Sequence, residues 1–103
     1  MESRAAREAV LEQAGQAVLS DRHEEYGPPE YNFADTALLW SAYLKSAYGV
    51  KLELTALDVA NIMILLKMAR LNTSPEKLDH YVDMAGYAAC GAAAAGASDA
   101  STN

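Results

Sequence analysis

The sequence is poor in the residues that end helices and in the residue that cross-links small folds. Only three prolines and six glycines occur in 103 residues, against 21 alanines. Alanine is the best helix former, and glycine and proline are the main helix breakers. The single cysteine, Cys90, excludes an intrachain disulfide and a cysteine-based zinc site. The composition therefore predicts an all-α fold.

The chain also lacks a basic surface and long apolar runs. Eight Lys and Arg stand against 14 Asp and Glu, for a net charge of −6, whereas affinity for duplex nucleic acid comes mainly from basic side chains. An acidic protein can still bind a nucleotide through a bridging divalent cation. No run approaches the roughly 20 apolar residues that span a bilayer, and the N-terminus shows no signal peptide. We expect a soluble cytoplasmic protein without duplex nucleic acid or membrane partners.

The hydrophobic pattern predicts a compact four-helix bundle. Residues 1–91 would form one helical domain, and residues 92–103, rich in Ala, Gly and Ser, would be a flexible tail. The predicted helices cover about residues 2–22, 32–48, 55–72 and 74–91.

Three capping signals define the predicted helix starts. Asn32 is a good N-cap for the second helix, and Thr55 followed by Asp58 forms a capping box for the third. Ser74 with Pro75 is a start signal for the fourth helix. The third helix, VANIMILLKMARL, is apolar on nearly every side. Because burying such a helix in a small domain usually needs a partner subunit, we expect a homo-oligomer.

Common catalytic motifs are missing, which leaves carboxylates as the candidates for chemistry. The sequence has no Gly-rich phosphate loop, no GxSxG and no HExxH. Asp79 and Asp83 are four residues apart, so they project from one face of the fourth helix. Because Mg²⁺ typically bridges one or two carboxylates to substrate phosphates, one interpretation of this pair is half of a metal site. The alternative is a solvated acidic face near a helix N-terminus.

The third helix carries polar residues on two faces. Asp58 and Asn61 share one face, and Lys67 and Arg70 lie roughly on the opposite one. Lys67 interrupts an apolar run, which is costly unless its charge is paired. It would contact phosphate or carboxylate, or instead form an ion pair with an aspartate of the fourth helix or reach water. For Asp58, helix capping is the stronger interpretation.

The segment HEEYGPPEY holds more functional groups than a plain connector needs. Glu24 and Glu25 are adjacent, so at most one would join a shared site, and the alternative is an exposed charged loop. Tyr26, Tyr31 and Trp40 are candidates for stacking on a nucleobase. Such residues are more often core or interface anchors.

Three runs of the chain resemble a known group of proteins. They are DRHEEYGPPEYNFADTALLWSAYL, LTALDVANIMILLKMARL and DHYVDMAGYAA, which fall within about Asp21 to Ala89. Together they are similar to small phage and prophage proteins of unassigned function, related to the nucleotide-modification-associated domains. The shared pattern is a YG loop, a K-x-x-R and a D-x-x-x-D-x-x-x-Y, here Tyr26, Gly27, Lys67, Arg70, Asp79, Asp83 and Tyr87.

More distantly, the chain resembles the MazG-type all-α nucleoside triphosphate pyrophosphohydrolases. Those oligomeric enzymes hold Mg²⁺ with E-x-x-E and E-x-x-D helices and cleave between the α and β phosphates. This chain has Asp58-x-x-Asn61 and Asp79-x-x-x-Asp83 instead. One expected carboxylate is an amide and one spacing differs, which implies weaker metal binding.

Three functional hypotheses follow. The first is a Mg²⁺-dependent pyrophosphohydrolase with catalytic Glu24, Glu25, Asp79 and Asp83, and with metal on Asp58, Asp79 and Asp83. Its ligand contacts would be Tyr26, Gly27, Tyr31, Asn32, Trp40, Asn61, Lys67, Arg70 and Tyr87. The second is a non-catalytic anti-defence protein of a phage, which sequesters a nucleotide or nucleotide-derived immune signal in the host cytoplasm. The third is a structural bundle in which Lys67 pairs with Asp79 or Asp83.

Overall fold

The computed structural model describes residues 2–19 and 29–98, with the backbone alone for residues 29–31. These residues form four α-helices and no β-strand. The helices are α1 (Ser3–Leu19), α2 (Pro29–Tyr48), α3 (Ala56–Leu71) and α4 (Leu78–Ala94). The predicted all-α, four-helix fold is confirmed.

Helices α3 and α4 form the central antiparallel pair, and small residues let them approach closely. A Cβ added to Gly91 would lie 3.4 Å from the Cβ of Ala60, so the backbones are close at that level. Helix α1 packs on another side of α4, where a Cβ on Gly86 would lie 3.4 Å from Val18 Cγ1. Helix α4 therefore contacts both α1 and α3.

Helix α2 is fixed to α3 and α4 by one hydroxyl and one ring pair. Ser41 Oγ accepts a 2.9 Å hydrogen bond from the Leu54 backbone N–H, just before α3, and donates at 2.7 Å to the Ala37 carbonyl. The rings of Phe33 and Tyr87 lie 6.1 Å apart. The buried hydrophobic residues of the described chain are mostly small, namely Ala14, Ala37, Val59, Ala60, Val82 and Cys90.

The predicted start of α3 is confirmed. Thr55 is the N-cap, and its backbone N–H donates to Asp58 Oδ2 at 2.8 Å while the Asp58 N–H donates to Thr55 Oγ1 at 3.2 Å. This reciprocal pair satisfies two backbone donors that have no partner inside the helix.

Helix α2 begins earlier than predicted. It starts at Pro29, so Asn32 is not its N-cap but a first-turn residue, whose carbonyl accepts a 2.9 Å hydrogen bond from Thr36 Oγ1. Proline is well suited to the first helical position because its ring fixes φ and the missing N–H would have no helical partner there.

Helix α4 begins and ends later than predicted. Ser74 and Pro75 belong to a turn, in which the Pro75 carbonyl accepts a 2.8 Å hydrogen bond from the Tyr81 hydroxyl. The N-cap is Lys77, which makes no side-chain capping bond. The helix passes through Gly91 to Ala94, so the first residues of the predicted tail are helical. Gly91 lies inside the helix, where its lack of a side chain allows close packing. The glycine with a left-handed backbone is Gly96, whose φ is +73°.

The third helix is only half covered. Val59 and Ala60 are buried, but four large apolar side chains on its other side remain exposed: Ile62, Leu65, Leu66 and Met68. Among the helices of the described chain, none is long and apolar enough to cross a membrane. The predicted end of α1, up to Arg22, lies outside the described residues.

Candidate functional site

An ion pair joins the two central helices. Lys67 Nζ on α3 lies 2.8 Å from Asp83 Oδ2 on α4. The lysine side chain is 14% exposed and the aspartate side chain 42% exposed. The apolar run that contains Lys67 is thus tolerated because its ammonium is paired, as the structural alternative predicted. The carboxylate, however, keeps much of its surface open to solvent.

Asp83 is the middle member of a row along α4. Asp79 precedes it by one turn and Tyr87 follows it by one turn, so all three project from neighbouring positions of one helical face. The row is eight residues long, about 12 Å along the helix axis. Asp79 is exposed, whereas Tyr87 is half-buried beside Phe33 with its ring tilted by 41°. The row is therefore acidic at one end and aromatic at the other.

A buried histidine lies on the α3 side of this row. His80 is 6% exposed, and its Nδ1 has no hydrogen-bond partner among the described residues. It precedes Asp83 by three positions on α4, which brings the two side chains toward the same face. His80 was not a predicted site residue, because no second histidine or cysteine stands at ligand spacing from it. Only its position on the buried face of an amphipathic helix distinguishes it.

The three carboxylates expected to share a metal ion are not brought together. Asp58 is engaged in the α3 capping box and stands nine residues before Lys67, about 13 Å along the helix. It therefore lies at the end of the α3–α4 pair opposite to Asp79. Within residues 2–19 and 29–98, no three His, Cys, Asp or Glu side chains form a group that could hold a metal ion.

The other predicted site residues are dispersed. Asn61 and Arg70 are exposed on α3. On α2, Asn32 is exposed and Trp40 is half-buried. Tyr31 lies in the first turn of α2. Glu24, Glu25, Tyr26 and Gly27 lie outside the described residues.

A separate cleft lies between α1 and the start of α4. It encloses about 850 Å³ and has mostly apolar walls. Tyr81 is two residues before Asp83, so it points to the other side of α4, and the cleft is not continuous with the row. Sequence reasoning missed it because α1 has only a weak apolar face. Its lining includes Arg7, Val10, Leu11, Glu76, Leu78 and Tyr81.

The chain is similar to a protein family and to two mycobacteriophage proteins. The family described as "Domain of unknown function (DUF6378)" matches residues 9–95. The Gene 55 protein of Mycobacterium phage D29 is 43% identical over 83 residues, which are 81% of this chain and 51% of the relative. The Gene 55 protein of Mycobacterium phage L5 is 40% identical over 80 residues, 78% of this chain and 48% of the relative. The chain spans about half the length of these curated relatives, and no solved structure matches it.

Proposed function

The chain belongs to the DUF6378 family, and we propose that it binds a nucleotide or nucleotide-derived anion along the row Asp79–Asp83–Tyr87 and does not cleave it. The observation that carries this proposal is the Lys67–Asp83 ion pair, whose carboxylate remains 42% exposed in the middle of the row. A cation and an accessible carboxylate are thereby held side by side at one fixed position.

In this proposal Lys67 contacts the phosphate directly, and Asp83 contacts it through a divalent cation. Lys67 supplies a preoriented ammonium that is mostly withdrawn from water, where its attraction for a phosphate oxygen is less screened. Asp83 would repel the same phosphate unless a divalent cation neutralises it. Mg²⁺ is suited to this role, because it usually binds one or two carboxylates together with substrate phosphates and keeps several waters. Asp79, one turn away and exposed, is the second carboxylate.

The aromatic end of the row is suited to the base. Tyr87 is half-buried against Phe33, so its ring is held in place before a ligand arrives. Aromatic faces stack on every nucleobase, which contributes about 1–3 kcal/mol per base in single-stranded nucleic acid complexes. The acidic and aromatic ends of the row are about 12 Å apart along the helix axis.

Binding is favoured over cleavage by the position of Asp58. A pyrophosphohydrolase of the MazG type would need more carboxylates around its metal than Asp79 and Asp83. Asp58 instead accepts two hydrogen bonds from Thr55 at the far end of α3. Sequestration of a nucleotide or nucleotide-derived immune signal by a phage protein fits a site that binds without activating water.

Mg²⁺-dependent pyrophosphate cleavage is the second candidate. It is favoured by the placement of Asp79 and Asp83 on one face of α4, with Glu24 or Glu25 as a further metal ligand. In that case the metal would activate a water and neutralise the phosphates.

The two functions differ in whether the nucleotide is recovered intact or cleaved. The full chain is incubated with a panel of NTPs, dNTPs and cyclic dinucleotides, with and without Mg²⁺, and bound and free nucleotides are then identified by chromatography. We expect one ligand to be retained stoichiometrically and recovered intact. Release of pyrophosphate that depends on Mg²⁺ and is lost in Asp83→Asn would support the enzyme. A panel in which no nucleotide is either retained or cleaved would overturn both functions.

Self-association belongs to the same proposal. Ile62, Leu65, Leu66 and Met68 are 39–60% exposed on α3, and such a face on a small domain marks a protein interface more often than a free surface.

A further inference from the structure

The cleft between α1 and the start of α4 has the dimensions of a ligand pocket. It encloses about 850 Å³, and small-molecule sites usually enclose about 300–1,000 Å³ with mostly apolar walls and a few polar groups. Its apolar walls include Val10 and Leu11 on α1 and Leu78 and Tyr81 on α4. Leu11 is 71% exposed, so packing within the chain leaves most of its surface uncovered. A ligand with an apolar body would remove this surface from water.

A hydrogen bond fixes the α4 side of the cleft. The Tyr81 hydroxyl donates at 2.8 Å to the Pro75 carbonyl, which ties the first turn of α4 to the turn that precedes it. Glu76, the residue after Pro75, also lines the cleft. The tyrosine wall and the segment that carries the glutamate are therefore held together before a ligand arrives, and such preorganisation lowers the entropy cost of binding.

Two opposite charges line the cleft from different elements, Arg7 on α1 and Glu76 before α4. Arg7 Nη1 donates a 2.6 Å hydrogen bond to Ser3 Oγ, which orients the guanidinium and leaves other N–H donors of the group for a ligand. Among the residues that the structure describes, neither Arg7 nor Glu76 has an oppositely charged group within ion-pair distance, and the two do not pair with each other. A ligand that carries both complementary charges would pair with both.

We propose that this cleft binds a zwitterionic molecule with an apolar body, of the size of a short apolar peptide. The ligand carboxylate contacts Arg7, its ammonium contacts Glu76, and its apolar part packs on Leu11 and Tyr81. The site is independent of the proposed nucleotide site, because the cleft and the row Asp79–Asp83–Tyr87 lie on different sides of α4.

Charge complementarity favours a zwitterion over the simpler ligands. A ligand with only a carboxylate would bring it near Glu76 as well as Arg7, in a chain whose net charge is −6. A ligand with only an ammonium would meet the corresponding repulsion from Arg7. An uncharged apolar ligand would withdraw both charged groups from water without pairing either, which is costly. The volume lies near the upper end of the range for ligand pockets, which favours a short peptide over a single amino acid.

Titration with one dipeptide in three forms tests the charge recognition. The full chain is titrated calorimetrically with leucylphenylalanine, with its N-acetylated form and with its C-terminal amide. We expect a Kd on the order of 0.1 mM for the free dipeptide. Each capped form should bind about tenfold more weakly, because it lacks one charge-assisted contact. Backbone amide NMR shifts should change in residues 6–11 and 76–81, which contain the lining residues of the cleft.

Two variants assign each end of the ligand to its partner. In Arg7→Met the free dipeptide should bind as weakly as the amide does, and amidation should have no further effect. In Glu76→Gln the same should hold for N-acetylation. Arg4→Met is the matched control, because Arg4 lies on the same helix, is paired with Glu8 at 2.8 Å and does not line the cleft. It should bind all three forms as the wild type does, and circular dichroism should show equal helix content in every variant.

Four outcomes would overturn the proposal. The first is absence of dipeptide binding at millimolar concentration, and the second is equal affinity of the free and capped forms for the wild type. The third is tighter binding of free leucine than of the dipeptide, which would contradict the argument from size. The fourth is a wild-type dimer that is lost in Leu11→Glu while no dipeptide binds, which would assign the cleft to a second copy.

Discussion

Lys67 on α3 and Asp83 on α4 form a 2.8 Å ion pair in which the cation is much more buried than the anion. This asymmetry gives the pair two roles. It joins the two central helices, and it leaves one side of the carboxylate open to solvent.

Removal of Asp83 should cost more stability than removal of Lys67. Asp83→Asn leaves a mostly buried ammonium with no counter-charge, and we expect the free energy of unfolding to fall by about 1–3 kcal/mol. Lys67→Met replaces the ammonium with an apolar group of similar length and leaves the more exposed carboxylate in water, so we expect a loss below about 1 kcal/mol. Urea denaturation measures both. A larger loss of stability for Lys67→Met would show that an unpaired Asp83 carboxylate destabilises the fold more than an unpaired Lys67 ammonium does.

Replacing His80 with phenylalanine should not destabilise the fold. The side chain is 6% exposed and its Nδ1 is unpaired within the described chain, and an unsatisfied buried polar group costs about 1–3 kcal/mol. His80→Phe should therefore leave thermal stability unchanged or raise it. Val82→Ala, which removes buried apolar atoms from the same helix, should lower stability and is the control. A loss of Tm in His80→Phe equal to that in Val82→Ala would mean that the imidazole has an essential partner.

Two helical glycines should respond differently to a large side chain. A Cβ on Gly91 would already contact Ala60 and Leu57 at 3.4 Å, whereas a Cβ on Gly15 would meet nothing within 4 Å. We expect Gly91→Leu to force α3 and α4 apart and to destabilise the protein by about 1–3 kcal/mol, the usual effect of overpacking. Gly15→Leu should be neutral or stabilising, since glycine costs about 1 kcal/mol in a helix interior. Thermal unfolding of both variants checks this, and equal effects would contradict the close approach at Gly91.

Asp58 should act as a capping residue and not as a metal ligand. Thr55→Ala and Asp58→Ala each break the reciprocal bonds of the capping box, so each should cost about 1 kcal/mol. The double variant should cost little more than either single variant, because both remove the same motif. Neither should change the Mg²⁺ dependence of nucleotide binding. Loss of Mg²⁺ dependence in Asp58→Ala but not in Thr55→Ala would indicate that Asp58 is a metal ligand.

The sequence predicted those features of the fold that depend on local pattern. Helical periodicity indicated four helices, and the Thr55–Asp58 box identified the start of α3 because both partners lie within one turn. The start and end of α4 were mispredicted because tertiary contacts override local signals there. The Tyr81 hydroxyl holds Pro75 in a turn, and Gly91 packs against Ala60 instead of ending the helix.

The candidate site was predictable only in part. The burial pattern indicated that Lys67 needs a counter-charge, and an ion pair with an aspartate of the fourth helix was one of the expected partners. The separation of Asp58 from Asp83 was not predictable, because it depends on the antiparallel register of α3 and α4. The cleft beside α1 was not predictable either, because α1 has only a weak apolar face and the walls of the cleft come from residues far apart in the chain.

The central claim is that Lys67 and Asp83 form the anion-binding part of a nucleotide site, and calorimetric titration tests it most directly. The nucleotide retained from the panel is titrated, with Mg²⁺ present, into the wild-type chain, Lys67→Met and Lys45→Met, where Lys45 is an exposed lysine in the last turn of α2. We predict that Lys67→Met weakens binding at least tenfold, about 1.4 kcal/mol, and that Lys45→Met binds as the wild type does. Equal affinity of Lys67→Met and the wild type would contradict the proposed site.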